Sequence, residues 1–295
     1  MKEEIINLSK KLGIDKIGFC NLNELIVPYE KYKLQDALCY KGTFQTGDIS
    51  DKDLSSDRYF LYNTGIVICV SYNSVDMSDI DKVYLSSCSV GLDYHVLLKN
   101  KLKVIGEYLE ELGYLSNLFV DNNPLDERVL AYNAGLGFFG KNNLLINDEL
   151  GSYFYIGVLL TDAIIESDKI INNKCISCDK CIKVCPTKAL NDSGILDCNK
   201  CLSYLTQKKD VSSEYHKYFN NCIYGCDKCI SVCPYNKNTK SNIVPFGNEE
   251  INPSEFLDMS IDEYKDKYKN NSCFWRGKNV LDRNIKIYYV NRNNK

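Results

Sequence analysis

The sequence predicts an α/β or α+β domain followed by a small domain that folds around thiolate-bound metal. Three observations carry this. Amphipathic stretches at helical spacing alternate with short β-branched runs over residues 1–168. Ten of the fifteen cysteines then fall between Cys175 and Cys233. That segment holds few apolar residues, so bound metal has to act as its core. The chain divides accordingly into 1–168, 169–240 and a polar, weakly patterned extension over 241–295; a length of 295 residues suits about two domains of roughly 100–200 residues each.

In order, Met1–Leu12 places Ile5, Ile6, Leu8 and Leu12 on one side of an amphipathic helix. Lys16–Cys20 reads as a short strand. Asn23–Tyr40 reads as helical or irregular, broken by Pro28, and Phe44–Asn63 as a surface loop. Gly65–Tyr72 is a continuous β-branched run suited to a buried central strand. A helix from Asp93, a good N-cap, to Leu112 turns Val96, Leu97, Leu102, Ile105 and Leu109 inward. Leu118–Asp121 is a strand ending in an acid, and Glu127–Ala134 a short helix stopped by Gly135. Leu144–Ile146 and Ser152–Leu160 complete a mixed sheet flanked by helices. Beyond the cysteines, Phe256–Tyr268 and Val280–Tyr289 suit two further helices.

The cysteine segment opens with Cys175-x2-Cys178-x2-Cys181-x3-Cys185-Pro186 and closes with Cys226-x2-Cys229-x3-Cys233-Pro234. The first run has the C-x2-C-x2-C-x3-C-P spacing of ferredoxins, whose fourth cysteine serves the other cluster. Counting ligands crosswise, one [4Fe–4S] cluster takes Cys175, Cys178, Cys181 and Cys233. The other takes Cys185, Cys226, Cys229 and one of Cys201, Cys198 and Cys222. Zinc sites use paired C-x2-C knuckles without the C-x3-C-P ending, and a disulfide framework needs an oxidising compartment.

A net charge of −3 and a pI near 5.6 supply no bulk basic field for nucleic acid, so any RNA contact must rest on a local patch. The Lys265, Lys267, Lys269, Arg276 and Lys278 group is the candidate. The N-terminus is charged where a leader would be apolar, and the longest apolar run, Ile66–Val70, is too short for a bilayer. A soluble, cytoplasmic protein with no membrane contact is expected.

Further stretches carry more than their periodicity. They are Gly91-Leu-Asp93-Tyr-His95, Val120-Asp121-Asn-Asn-Pro124-Leu-Asp-Glu127-Arg128, Ala134-Gly135-Leu-Gly137-Phe-Phe-Gly140-Lys141-Asn142-Asn143, Gly151–Asp162, Cys201-Leu-Ser-Tyr-Leu-Thr206 and Ile223-Tyr-Gly225-Cys226-Asp227. Together, in this order, they resemble the epoxyqueuosine reductase family from about Lys16 to Asn236, with a fainter echo at Trp275-Arg-Gly-Lys-Asn279. The resemblance implies a cytoplasmic enzyme that uses cobalamin and two [4Fe–4S] clusters to turn epoxyqueuosine into queuosine at the wobble position of tRNA. It implies a cobalamin-binding first domain, a ferredoxin-like second domain, an external low-potential electron donor, and Cys201 as the middle ligand. The C-terminal helical-repeat module of many members does not fit in this length. A monomer is expected. Two other readings stand beside it: a corrinoid-dependent dehalogenase-like reductase of a small molecule, and a dicluster electron carrier.

The resemblance also gives meaning to single residues. Asp93 is a helix cap or a cofactor contact, and His95 a satisfied imidazole or a neighbour of the corrinoid or substrate. Cys88 is a small buried hydrophobe or approaches cobalt. Gly135, Gly137 and Gly140 are turn residues or let backbone approach a planar cofactor, with Lys141 at its polar edge. Opening an epoxide needs an acid, and Asp121 and Glu127 are the candidates. Asp121 ends an apolar strand, where burial raises a carboxyl pKa, so it is the expected proton donor. Glu127 opens a helix beside Arg128; both favour its charged form and a supporting role.

Overall fold

The computed structural model describes residues 1–52, 59–175, 178–191, 194–237, 239 and 250–294. Part of the expected Phe44–Asn63 loop, residues 53–58, lies outside the described residues. The first half is a four-stranded antiparallel sheet in the order β1 (Lys16–Asn21), β2 (Thr64–Ser71), β7 (Phe154–Thr161), β4 (Ser116–Phe119). Every residue of β2 is buried, because alternate side chains feed two cores. Ile66, Ile68 and Val70 pack with Ile5 of α1 (Lys2–Lys11) and with Leu98, Leu102, Ile105 and Leu109 of α3 (Tyr94–Glu111). Val67 and Cys69 pack on the other face, with Leu130, Ala131 and Ala134 around α4 (Glu127–Asn133). The sheet is thus the middle of three layers, with α2 (Tyr29–Ala37) beside it.

Val96, expected inward, is 48 % exposed. The buried stripe of α3 runs Leu98–Leu102–Ile105–Leu109, and Val96, two residues before Leu98, points about 200° away at 3.6 residues per turn. The Phe256–Tyr268 stretch is two helices, α8 (Pro253–Asp258) and α9 (Ile261–Tyr268). Ser260 between them forms a capping box with Glu263 and starts the second. The chain closes with α10 (Lys278–Asn293).

Parallel and antiparallel pairing meet in a second, three-stranded sheet, β8–β3–β9. β3 (Val83–Leu85) runs parallel to β8 (Cys222–Tyr224) of the cysteine-rich segment and antiparallel to β9 (Glu250–Ile251) of the extension. One strand comes from each of the three sequence segments. Val83, Leu85, Ile223 and Ile251 share a core with Phe256, Tyr264, Leu281 and Ile285. A small hairpin, β5 (Phe138–Phe139) with β6 (Leu145–Ile146), lies against the cysteine-rich segment through Phe138, Ile146 and Cys233. In that segment the short helices α5 (Lys180–Val184) and α7 (Lys228–Ser231) lie side by side, and α6 (Leu202–Gln207) follows Cys201. Among the described residues no helix is long and apolar enough to cross a membrane.

Candidate active site and metal centres

Three cavities run into one another where the sheet domain meets the cysteine-rich segment. The first, of ≈ 1290 Å³, is lined by Cys88, Asp93, Tyr94, His95 and Asp121 on one side and by Ser203, Tyr224, Lys269 and Trp275 on the other. The second, of ≈ 1170 Å³, shares Ser86, Cys88 and Ser203 with it, and Cys185, Cys201, Cys226 and Cys229 are in its wall. The third, of ≈ 1100 Å³, meets the second at Arg128 and Leu196 and is lined by Lys31, Tyr32, Asp126 and Cys198.

Asp93 is both cap and contact. Its Oδ1 accepts the backbone N–H of His95 at 3.0 Å, starting α3, and lies 2.6 Å from Nδ1 of the same histidine. The other ring nitrogen, Nε2, is 3.5 Å from Oδ2 of Asp121, and Tyr94 Oη donates to that same oxygen at 2.5 Å. The hydrogen bonds to Asp121 and then Asp93 push His95 up to about 9. Burial pushes the Asp121 carboxyl up, but His95 and Tyr94 outweigh it and hold it down, at about 2. The Asp121 side chain is still 51 % exposed.

The electrostatics expected of the two carboxyls are therefore reversed. Glu127 is pushed up to about 7, first by burial and further by the charges of Asp121 and Asp126. Arg128 does not offset this. Its guanidinium turns away to donate to Asn143 O at 2.7 Å, with Nε 3.8 Å from Asp126. Glu127 Oε1 accepts the N–H of Asp121 at 2.6 Å and the Asn123 amide at 2.7 Å, so it props the loop from behind. Sequence reasoning missed Tyr94. Its position at the first turn of α3, next to His95, was the available signal.

The cysteines fall into two groups. The Cys175 and Cys178 thiols lie close enough to Cys233 and Cys181 to raise them electrostatically, after burial, which is the larger cause. Cys229 is raised in turn by burial and then by Cys226, Cys201, Cys181 and Cys185. Cys201 lines the second cavity together with Cys185, Cys226 and Cys229. Cys222 lies in β8, its Sγ 3.5 Å from Tyr224 O, and Cys198 takes a hydrogen bond from Gln35 at 3.6 Å. Gly225, at φ +88°, lies against Ser86 just before Cys226; a Cβ there would run into that serine. Among the described residues no three His, Cys, Asp or Glu side chains converge on a single ion. A cubane asks for something different, since each thiolate binds its own iron at a separate corner.

The glycines expected at a cofactor approach the protein's own backbone instead. Side chains at Gly135 and Gly137 would strike the carbonyls of Lys169 and Ile146, and one at Gly140 the Asn142 amide. Lys141 pairs with Asp179, and its N–H points to Cys175 Sγ at 3.4 Å, so it belongs to the first cysteine group and not to the cleft. The neighbouring Asn142, by contrast, lines the second cavity. Asn142 Nδ2 and Ser152 Oγ are buried without a protein partner, and both residues line the second cavity. A corrinoid, a broad ring edged with amides, fits a mostly apolar slot that leaves such polar atoms waiting. Cys88, with Sγ 3.4 Å from Ser86 Oγ, lies where the first two cavities join.

Residues 174–236 match the 4Fe-4S double cluster binding domain family. Over its whole length the chain is 34 % identical to an epoxyqueuosine reductase of Lactococcus garvieae, covering 88 % of that protein. The chain belongs to the epoxyqueuosine reductase family. The structure of a Streptococcus thermophilus member superposes with a TM-score of 0.92 at 31 % identity, over 99 % of this chain and 81 % of that one. A member in complex with an epoxyqueuosine-modified tRNA-Tyr stem loop superposes at 0.90 and 31 % identity, over 98 % and 81 %. A reductive dehalogenase with B12-dependent chemistry shares the fold, at a TM-score of 0.52 and 15 % identity, over 99 % of this chain and 36 % of that one.

The structure divides the expected basic patch. Lys278 is buried and bonded to Asp282 at 2.8 Å, so it cannot reach phosphate. The Arg276 guanidinium is stacked 3.6 Å from the Trp275 ring centroid and 4.3 Å from that of Phe44. Lys269 and Trp275 do line the cleft, and Trp275 is 55 % exposed.

Proposed function

We propose that this chain reduces epoxyqueuosine to queuosine at the wobble position of tRNA, drawing electrons from an external low-potential donor, in the cytoplasm where tRNA is found. The observation that carries this is one continuous cleft with the Tyr94–His95–Asp121 group at one end and the Cys185, Cys201, Cys226 and Cys229 thiols in its wall. Residues 1–168 with this cleft form the cobalamin-binding part, and 169–240 the dicluster part. Cobalamin supplies a low-valent cobalt reductant that no side chain can match, and the clusters deliver electrons one at a time.

The protein's own part is the proton and the fit. Asp121 and His95 share one proton across 3.5 Å and titrate as a pair. In the open cleft the proton rests on the imidazole, because Asp121 and then Asp93 accept from the charged ring. Filling the cleft removes water and penalises separated charges. The proton then passes to Asp121, which gives it to the epoxide oxygen as the first C–O bond opens. With two electrons from the donor and a second proton from solvent through the same pair, the second C–O bond breaks and the oxygen leaves as water. Tyr94 Oη, 2.5 Å from the same carboxylate oxygen, keeps it aimed, and Glu127 fixes the loop. Asn142 and Ser152 would hold the corrinoid, and Cys88, where the first two cavities join, would be within its reach.

Anaerobic incubation of the reconstituted protein with epoxyqueuosine-bearing tRNA and a reductant, read by nucleoside mass spectrometry, tests this. Queuosine should appear only with cobalamin added; its absence with clusters and corrinoid both loaded would refute the reading.

A further inference from the structure

We propose that the exposed face of α5, carrying Lys180 and Lys183, is the docking surface for an acidic electron-carrier protein, and that electrons enter through the thiol group of Cys175, Cys178, Cys181 and Cys233. This rests on the cluster assignment above. The two thiol groups are placed differently. Cys185, Cys201, Cys226 and Cys229 wall the second cavity, whereas none of the first group lines any of the three cavities described. Cys178, in the first group, is exposed. The inner group therefore faces the cleft, while the outer group reaches solvent through Cys178, which sets the direction of electron flow. Tunnelling falls steeply with distance, so a carrier must seat itself on the surface next to Cys178.

Charge marks that surface. From Lys174 to Lys188 the chain has four lysines, Lys174, Lys180, Lys183 and Lys188, against the single acid Asp179, in a protein whose net charge is −3. Asp179 is taken up by Lys141, and Lys174 is paired with Asp148. Lys180 and Lys183 stand one helical turn apart on α5, both exposed, directly after Cys178 and on either side of Cys181. A positive patch on a protein steers acidic partners to it. Flavodoxins and ferredoxins, the common low-potential single-electron carriers, are acidic. RNA is also a polyanion, but the substrate nucleotide must reach Asp121, and the cleft there has its own cations, Lys99 and Lys269, sharing no residue with α5.

The test reverses the charges with K180E/K183E in the cluster-loaded protein, after iron is counted. Cluster reduction is followed in stopped flow as bleaching of the visible absorbance, with a reduced flavodoxin of net negative charge and separately with photoreduced 5-deazariboflavin, which is small and uncharged. The flavodoxin rate should fall about 10-fold or more at low ionic strength and lose its salt dependence. The deazaflavin rate and the affinity for a tRNA anticodon stem loop should stay as in the wild type. An unchanged flavodoxin rate overturns the proposal, and so does a loss confined to stem-loop binding, which would make the face an RNA contact. If K180E/K183E fails to hold iron, K180Q/K183Q gives the same readout at smaller amplitude. Absence of iron from the wild-type protein would sink the cluster reading itself, a result distinct from a failure of docking.

Discussion

Glu127 accepts the backbone N–H of Asp121 at 2.6 Å, so one carboxyl builds the loop on which the other is carried. Asp121 and Asn122 both have left-handed backbone, at φ 45° and 48°, a conformation that costs energy in residues with a Cβ. The Glu127 bonds to Asp121 N and Asn123 Nδ2 hold it in place. Asp121→Asn should lower the single-turnover rate roughly 10²–10⁴-fold while iron and cobalamin stay bound. Glu127→Gln keeps an acceptor for both bonds and should lose less. If rapid-quench measurements find Glu127→Gln the slower, the proton donor is Glu127.

Glu127 also makes stability depend on pH in an unusual sense for an acid. Its folded pKa of about 7 lies above the ordinary 4.5, so between those values the folded state holds more proton than the unfolded one. Stability from this group is therefore greatest below about pH 4.5 and declines as pH rises to about 7, then stays level. Denaturant titrations of wild type and Glu127→Gln across pH 4.5–6.5, below the range in which His95 contributes, should show that decline only in the wild type. Parallel curves would place the Glu127 carboxyl in water.

His95 acts in the same direction over a higher pH range. Its raised pKa means that the stability gained from Asp121 and Asp93 is complete below about pH 6.5 and is lost as pH climbs through about 9. The chain has two histidines, so His95 is easily told from His216 by NMR of labelled imidazoles. We expect a midpoint near 9 in the wild type and a clearly lower one in Asp121→Asn. A midpoint unchanged by that substitution would show that the pair does not share a proton.

Cluster ligation has a counting test. Cys201→Ala should take the iron content from about eight to about four per chain, while Cys198→Ala and Cys222→Ala leave it near eight. Each ligand lost also removes folding free energy, so the Cys201 variant should express less soluble protein. A full iron count in Cys201→Ala would move the fourth ligand to Cys198, which lies next in space.

For RNA, Trp275 and Lys269 are the contacts to expect at the cleft. A stacked base is worth about 1–3 kcal/mol, so Trp275→Ala should weaken stem-loop binding roughly 5- to 150-fold. Lys269→Ala should reduce the salt slope by about one unit. Lys278→Ala should leave the slope alone and destabilise the fold, because Asp282 loses its buried partner. Fluorescence titrations at several salt concentrations read all three.

The layers and the cysteine groups were legible because their signals are local. Period and run length place α1, α3 and β2, and fixed spacing sorts most of the thiols. The middle ligand was open on spacing alone; the family resemblance favours Cys201. What the sequence left unreadable depends on how distant segments meet. Gly135 looked like room for a cofactor, and only the arrival of Lys169 shows that backbone fills that room. Arg128 looked like a partner for Glu127 until its guanidinium reached Asn143. Lys278 looked like a surface cation, but α10 buries it against Asp282 and Leu257. Asp121 looked set to be raised by burial, and the reversal came from Tyr94 and His95, some twenty-seven residues earlier.

The three-stranded sheet has a consequence for how the protein is made. Val83 pairs with Ile251 and Tyr84 with Cys222, so β3 leaves the ribosome long before either neighbour exists. Its apolar face stays uncovered until α10 has been synthesised, and chaperones have something to hold in the meantime. Cys233 is translated before that closing helix.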